Sequence, residues 1–335
     1  MIVRRTVGVV LALAVLGGIA LGLWKLDRML FGDDRTLGPA VTVVIPEGAG
    51  VPAIASILAH ANVIGSATDF ELHELGQTGL RPGTYSIRRN EPYDRIVAIL
   101  LAGPAARPTK RLVVPEGYAV RDIAAITPKV GLPSATFAKA ASAAEPPQGF
   151  LAAGETAATI EGFLFPATYD VAQPPTGEEL VAQELDAFSS SFARVDMAYP
   201  ARKNLTRYDV LKIASLIERE AAAPEDRAKI AAVIYNRLHA RMPLGIDATI
   251  QYAVGAWRVL TAADLRIDSP FNSRRVRGLP PTPICNPGLA SLEAAARPAR
   301  ADYLYYVAIP GDPKRRHFFT SSYDAFLQFI KDHPS

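Results

Sequence analysis

The chain has 335 residues, 49% hydrophobic and 21% charged, which is enough for about two domains with a sizeable core and excludes a globally disordered protein. A net charge of +3, with no Lys/Arg run interleaved with aromatics, argues against nucleic acid as a partner. The single cysteine, Cys285, excludes an internal disulfide or a Cys-built metal site, and the five scattered histidines show neither HxxxH nor HExxH spacing, so no metal is expected.

The first expected element is apolar. Residues 1–6 form a short tail with Arg4 and Arg5, and 7–24 (VGVVLALAVLGGIALGLW) are uncharged. That run is near the lower limit of ~18 residues for a transmembrane helix. The two arginines favour a cytoplasmic N-terminus, and Trp24 suits the far interface. Leu23 and Trp24 continue up to Lys25 with no polar cleavage region, which favours a retained anchor. Ala20-Leu21-Gly22 keeps a cleaved signal peptide as the alternative. Either way the body is expected outside the cytoplasm, in the periplasm, and a retained span would anchor it to the cell inner membrane. Residues 25–40 read as a polar linker.

A repeat follows. VTVVIPEGAGVPAIASIL (41–58) matches KRLVVPEGYAVRDIAAI (110–126), and LRPGTYSI (80–87) matches FLFPATYDV (163–171). Each copy predicts strand, Pro-Glu-Gly turn, amphipathic helix, strand and a further helix, and the second copy carries an Ala-rich insertion around 134–158. Gly48 and Gly117 are expected to supply the positive φ of the turn. Glu47 and Glu116 read as turn residues. A small module of this kind suggests a LysM-like fold over 41–155, by analogy of fold alone.

The distal half, 156–335, predicts a mixed α+β domain. TRYDVLKIASLIEREAA (206–222) has apolar residues at 210, 213, 214, 217 and 221, a helical face. A second helix starts near Pro224 and buries Ile230, Val233, Ile234 and Leu238, with His239 at its boundary. Glu218 and Glu220 stand about 200° apart around the first helix, so they cannot form a face-to-face pair. Glu218 shares its side with Leu211, Ala214, Ser215, Ala221 and Ala222, which leave room for a ligand and partly desolvate a carboxyl. Glu220 reads as a solvated residue near a helix end. The pattern alone leaves both carboxylates open, as catalysts or as structural residues.

The stretch IASLIEREAAAPEDRAKIAAVIYNRLHARMPLGIDATIQYAVG (213–255) resembles the signature of the YceG-like (MltG) endolytic murein transglycosylase family. IEGFLFPATYDV (160–171), DSPFNSRRVRGLPPTPICNPGLASLEAAARPA (268–299) and YLYYVAIPGDPKRRHFFTSSYDAF (303–326) resemble it too. The resemblance implies one N-terminal transmembrane helix, a LysM-like part and a catalytic domain. Its catalytic glutamate is the first of an E-[KR]-E triplet, here Glu218. It implies cleavage between N-acetylmuramic acid and N-acetylglucosamine within glycan strands, leaving 1,6-anhydro ends and limiting strand length. It implies no cofactor, and it gives peptidoglycan, the membrane and wall-synthesis enzymes as partners.

Glycan recognition needs polar groups and apolar faces in a groove. Asn236, Asp247, Gln251, Tyr252, Asn272 and His317 are the candidates. Each also has a structural reading. Asn236 can bridge helices, Asp247 can cap the helix after it, Tyr252 can be core, and His317 sits in the second strand of a hairpin turned by PGDPKRR. Asn286-Pro287 reads as a helix N-cap, and Cys285 as a buried small hydrophobe. Two other classes stay open: a non-catalytic, membrane-tethered peptidoglycan-binding protein, and a hydrolytic muramidase.

Overall fold

The computed structural model describes residues 36–334. The expected tail, membrane span and most of the linker lie outside the described residues. Among the described residues no helix is long and apolar enough to cross a membrane. The chain divides between Arg107 and Pro108 into two compact units, and the described strands form three antiparallel pairs in a mixed α+β fold.

In the first unit β1 (Ala40–Ile45) pairs with β2 (Gly83–Arg88), Val43 opposite Tyr85. Alternation puts Val43, Ile45, Tyr85 and Ile87 on the buried face. Two helices, α1 (Val51–His60) and α2 (Ala67–His73), lie between these strands in sequence, and α3 (Tyr93–Ala102) follows. Ile54, Leu58, Phe70, Ile96 and Leu100 complete this core. The sequence predicted one helix between the strands; the second starts at Ser66, whose hydroxyl accepts from Asp69 N–H at 3.2 Å.

The second unit opens with the same order. β3 (Thr109–Val113) pairs with β4 (Thr168–Ala172), Leu112 opposite Tyr169. Between them lie α4 (Val120–Ile126), a 3₁₀ turn (Thr127–Val130) and α5 (Ser134–Ala143), and α6 (Gly177–Phe192) follows β4. The expected boundary after residue 155 is therefore corrected. β3 finds its partner strand beyond that boundary, and Phe137 and Phe150 pack into one core with Phe163 and Phe188. Phe150 meets Phe163, Phe188 and Phe192 edge to face at 4.8–5.2 Å.

The rest of the described chain carries six α-helices, one hairpin and a long loop over 254–288: α7 (Ala198–Arg202), α8 (Arg207–Glu220), α9 (Arg227–His239), α10 (Asp247–Ala253), α11 (Leu289–Ala296), β5 (Tyr305–Ala308), β6 (His317–Thr320) and α12 (Tyr323–Asp332). The hairpin pairs Tyr305 with Thr320, and Phe318 stacks on Phe329 of α12 at 4.3 Å.

Candidate active site

α8 is the central helix of the second unit. Thr206 and Asp209 close a capping box at its start, each side chain accepting the other's backbone N–H at 3.1 Å. Tyr208, Val210, Leu211 and the run Ile213–Ile217 are all buried, so the helix has almost no polar face until its last turn. That turn carries Glu218, Arg219 and Glu220, all half-buried.

The small residues beside Glu218 admit the protein's own chain rather than a ligand. Ser215 is fully buried; its hydroxyl donates to Lys212 O at 2.7 Å and accepts from Ile284 N–H at 3.1 Å. Cys285 Sγ lies 3.4 Å from Ser215 O, and burial raises the thiol well above its ordinary range. The loop threaded here ends at Gly288, whose N–H donates to Glu218 Oε2 at 3.0 Å.

The Pro-Glu-Gly turn of the second repeat closes the other side. Gly117 has φ +77°, and a Cβ there would lie 3.6 Å from Glu218 Cγ. Gly117 N–H donates to Asn286 O at 2.9 Å, Asn286 N–H to Tyr118 O at 2.8 Å, and Arg219 Nη1 to Gly117 O at 3.2 Å. The Arg219 guanidinium lies 3.7 Å from the Trp257 ring centroid, a cation–π contact. Glu116 is exposed, and its carboxyl rests against Gly288. Burial and then the Glu218 charge raise its pKa, with Arg227 opposing.

Glu220 is not a solvated helix end. It accepts from Tyr306 Oη at 2.8 Å, and burial raises its pKa against that bond. The helix turns Glu218 toward the 284–288 loop and Glu220 toward the hairpin. Nearby, Asp226 accepts from His317 N–H at 2.7 Å, contacts His317 Nδ1 at 3.0 Å, and pairs with Lys229 at 3.1 Å. Burial pushes Asp226 up, yet these bonds outweigh it and hold its pKa low.

The YceG-like family model matches residues 43–332, nearly all of the described chain. The chain belongs to the YceG-like family. A Bacillus subtilis relative named endolytic murein transglycosylase is 34% identical over 310 residues, covering 88% of this chain and 85% of its own length. A Streptococcus pneumoniae relative of the same name is 32% identical over 330 residues; the match covers 90% of this chain but only 60% of that protein. A crystal structure of a YceG-like protein from Listeria monocytogenes aligns with TM-score 0.58 and 30% identity, covering 87% of this chain and 99% of that one.

In this YceG-like chain the other candidates have partners inside the fold. Asn236 Nδ2 donates to Ala301 O and Tyr303 O, both at 2.9 Å. Asn272 is fully buried and donates to Leu265 O at 3.1 Å and Ile267 O at 2.9 Å. Gln251 donates to Arg258 O at 2.7 Å. Asp247 is the first residue of α10 and makes no cap; it pairs with Arg274 at 2.7 Å. Tyr252 Oη donates to Glu161 at 3.2 Å. Asn286 is not an N-cap: Gly288 precedes α11, and the Asn286 amide is spent on Leu164 N–H, Tyr118 O and Glu161.

Three residues escaped the sequence reading: Glu116, Trp257 and Glu161. Glu161 is 3% exposed, accepts from Val120 N–H at 3.0 Å, and burial pushes its pKa up to about 8 against those donors. Glu116 was visible as part of a repeated turn, but Glu47 has the same letters around it. Among the described residues one group, His73, Glu74 and Asp94, has metal-ligand spacing; it lies in the first unit, and Glu218 is not among its members. A cleft of about 460 Å³ is lined by Arg194, Arg227, Ala290, Glu293 and Arg297, and Glu218 is not in its lining.

Proposed function

We propose that this chain is an endolytic peptidoglycan transglycosylase and that Glu218 is its acid and base. The observation that carries the reading is Glu218 itself. It is a half-buried carboxyl at the end of a buried helix, one oxygen on Gly288 N–H, in a chain whose relatives bear that activity as their name.

In this mechanism protonated Glu218 gives its proton to the glycosidic oxygen between N-acetylmuramic acid and N-acetylglucosamine as the C1–O bond breaks. The carboxylate then takes the proton of the same sugar's 6-hydroxyl, whose oxygen bonds to C1. The product is a 1,6-anhydro end and no water is consumed. The nucleophile is tethered to the reacting sugar, so proximity replaces the second carboxylate that hydrolysis ordinarily needs. The Gly288 N–H holds one oxygen of that carboxyl in place.

The finer parts of the reading are proposals too. Residues 7–24 anchor the chain in the inner membrane with its body outside the cytoplasm, where it trims glycan strands beside wall-synthesis enzymes. A reporter fused after Ser335 should work only outside the cytoplasm; a working cytoplasm-only reporter would refute this. The strand–helix–helix–strand order of 40–88 supports a LysM-like glycan-binding module. Deleting 41–103 should weaken binding to intact sacculi in a folded protein, and unchanged affinity would count against the module.

Mass spectrometry of glycan strands digested by the wild type decides the reaction. Internal cuts with 1,6-anhydro ends are expected. Reducing ends would make it a hydrolytic muramidase, and no cleavage would leave a binding protein.

A further inference from the structure

Two carboxyl groups meet at Gly288. Its N–H is bonded to Glu218 at 3.0 Å, and its α-carbon lies so close to the Glu116 carboxyl that a Cβ there would overlap it. Gly288 has φ −75°, a value any residue adopts, and the space its missing side chain leaves is taken by the end of the Glu116 side chain. The Glu116 turn is fastened to this place by the two Gly117–Asn286–Tyr118 backbone bonds and by Arg219. In the first repeat the matching Gly48 has the same φ, +76°, and a Cβ there would meet nothing within 4 Å. The same turn is thus left open once and built against the candidate acid once.

We propose that Glu116 is the second carboxyl of this site, a positioning residue for the proton, and that Glu116 and Glu218 work as a coupled pair holding one proton between them before the reaction. The kinetic part rests on the transglycosylase reading of Glu218; the coupling does not.

Like charges brought close disfavour the second ionisation, and the titration then belongs to the pair. The charged and titratable groups around Glu116 are Glu218 of α8 and Arg227 of α9. Arg219 of α8 borders the turn at Gly117, and Cys285 lies in the loop facing Glu218. Arg227 tempers the repulsion and Glu218 supplies it. A lytic reaction uses that repulsion twice. Before cleavage it keeps a proton on the pair at a pH where a lone exposed carboxyl would have lost it. When Glu218 delivers its proton to the leaving oxygen, the pair becomes doubly charged. The same repulsion then makes Glu218 a stronger base for the 6-hydroxyl proton, and accepting it returns the pair to its starting charge.

Glu116→Gln keeps the shape and removes the charge. In the pH profile of kcat/KM for 1,6-anhydro-end formation, the alkaline limb should move down by about half a unit to one unit. An unmoved limb would overturn the coupling. The coupling is also read without substrate, by carbon-13 NMR of carboxyl-labelled glutamates with Glu116 assigned from Glu116→Gln. The Glu116 resonance should titrate at lower pH in Glu218→Gln than in the wild type; coincident curves would sink the proposal even if the chain proved not to be a transglycosylase. A substitution tests the placement. Gly288→Ala should push the exposed Glu116 carboxyl aside and lower the pH at which its resonance titrates; an unmoved Glu116 curve would mean that Glu116 does not occupy that space.

Discussion

The two repeats are built alike and used differently. In each, the strand residue three positions before the proline of the Pro-Glu-Gly turn is a buried aliphatic set against a buried tyrosine, Val43 with Tyr85 and Leu112 with Tyr169. Each tyrosine hydroxyl donates to a carbonyl four residues earlier, Arg81 and Phe165. Each turn glycine has a positive φ, and each first helix starts three residues later. The copies part at the turn. Gly48 faces open space, whereas Gly117 is pinned between Asn286, Arg219 and Glu218. The start of α1 has no side-chain hydrogen bond at its cap, whereas Val120 N–H of α4 is held by Glu161. One local sequence can thus make the same unit twice, and only what packs against it decides whether it becomes part of a site.

The largest expected asymmetry lies at Glu161. Glu161→Ala leaves Val120 N–H, Tyr252 Oη and the Asn286 amide short of a partner. It should cost about 3 kcal/mol in a urea titration, with no counterpart at the start of α1. This carboxyl also gives a pH signature. Its folded pKa, about 8, lies above the ordinary carboxylate value, so the folded state binds the extra proton. Its contribution is fully present below about pH 4.5 and is lost as pH rises through about 8. Urea midpoints of Glu161→Gln should lack that decline; an identical slope in wild type and variant would contradict it.

The turn glycines come next. Gly48→Ala and Gly117→Ala each force a Cβ into the left-handed region, costing about 1–2 kcal/mol of stability. Only at Gly117 does the strained turn also touch Glu218 and Arg219, where the new methyl would sit at ordinary contact distance, so a shift of that turn should lower the yield of anhydro ends, on the order of tenfold, in Gly117→Ala alone. Equal activity in the two variants would mean the turn contacts are idle.

The smallest effect should be symmetrical. Tyr85→Phe and Tyr169→Phe each remove one hydroxyl bond and should each cost about 1 kcal/mol. A much larger loss at one tyrosine in chemical unfolding would show that the copies differ in their frames as well as at their turns.

What the sequence made legible was local. The repeat, both turn glycines, the stripe of α9 and the 305–320 hairpin follow from periodicity and turn chemistry within short windows. What it hid was tertiary. α8 is buried on nearly every side, so its pattern offers no polar face to separate Glu218 from Glu220. Tyr306, which claims Glu220, lies 86 residues on. The Asn286 amide reaches Tyr118, 168 residues earlier, and that reach overrode the local Asn-Pro cap signal. The second unit begins at Pro108 rather than after residue 155 because strand pairing crosses the Ala-rich insertion.

The most direct test of the central claim compares Glu218→Gln with Glu220→Gln on the same glycan, counting 1,6-anhydro ends under identical conditions. Glutamine at 218 can still accept from Gly288 N–H but has no proton to give, and general acid–base catalysis is worth about 10²–10⁴-fold, so the yield should fall by at least that order. Glutamine at 220 can still accept from Tyr306 and should keep most of the yield. A Glu218→Gln protein that is folded and cleaves at near the wild-type rate, or a Glu220→Gln protein that is the inactive one, would contradict the assignment.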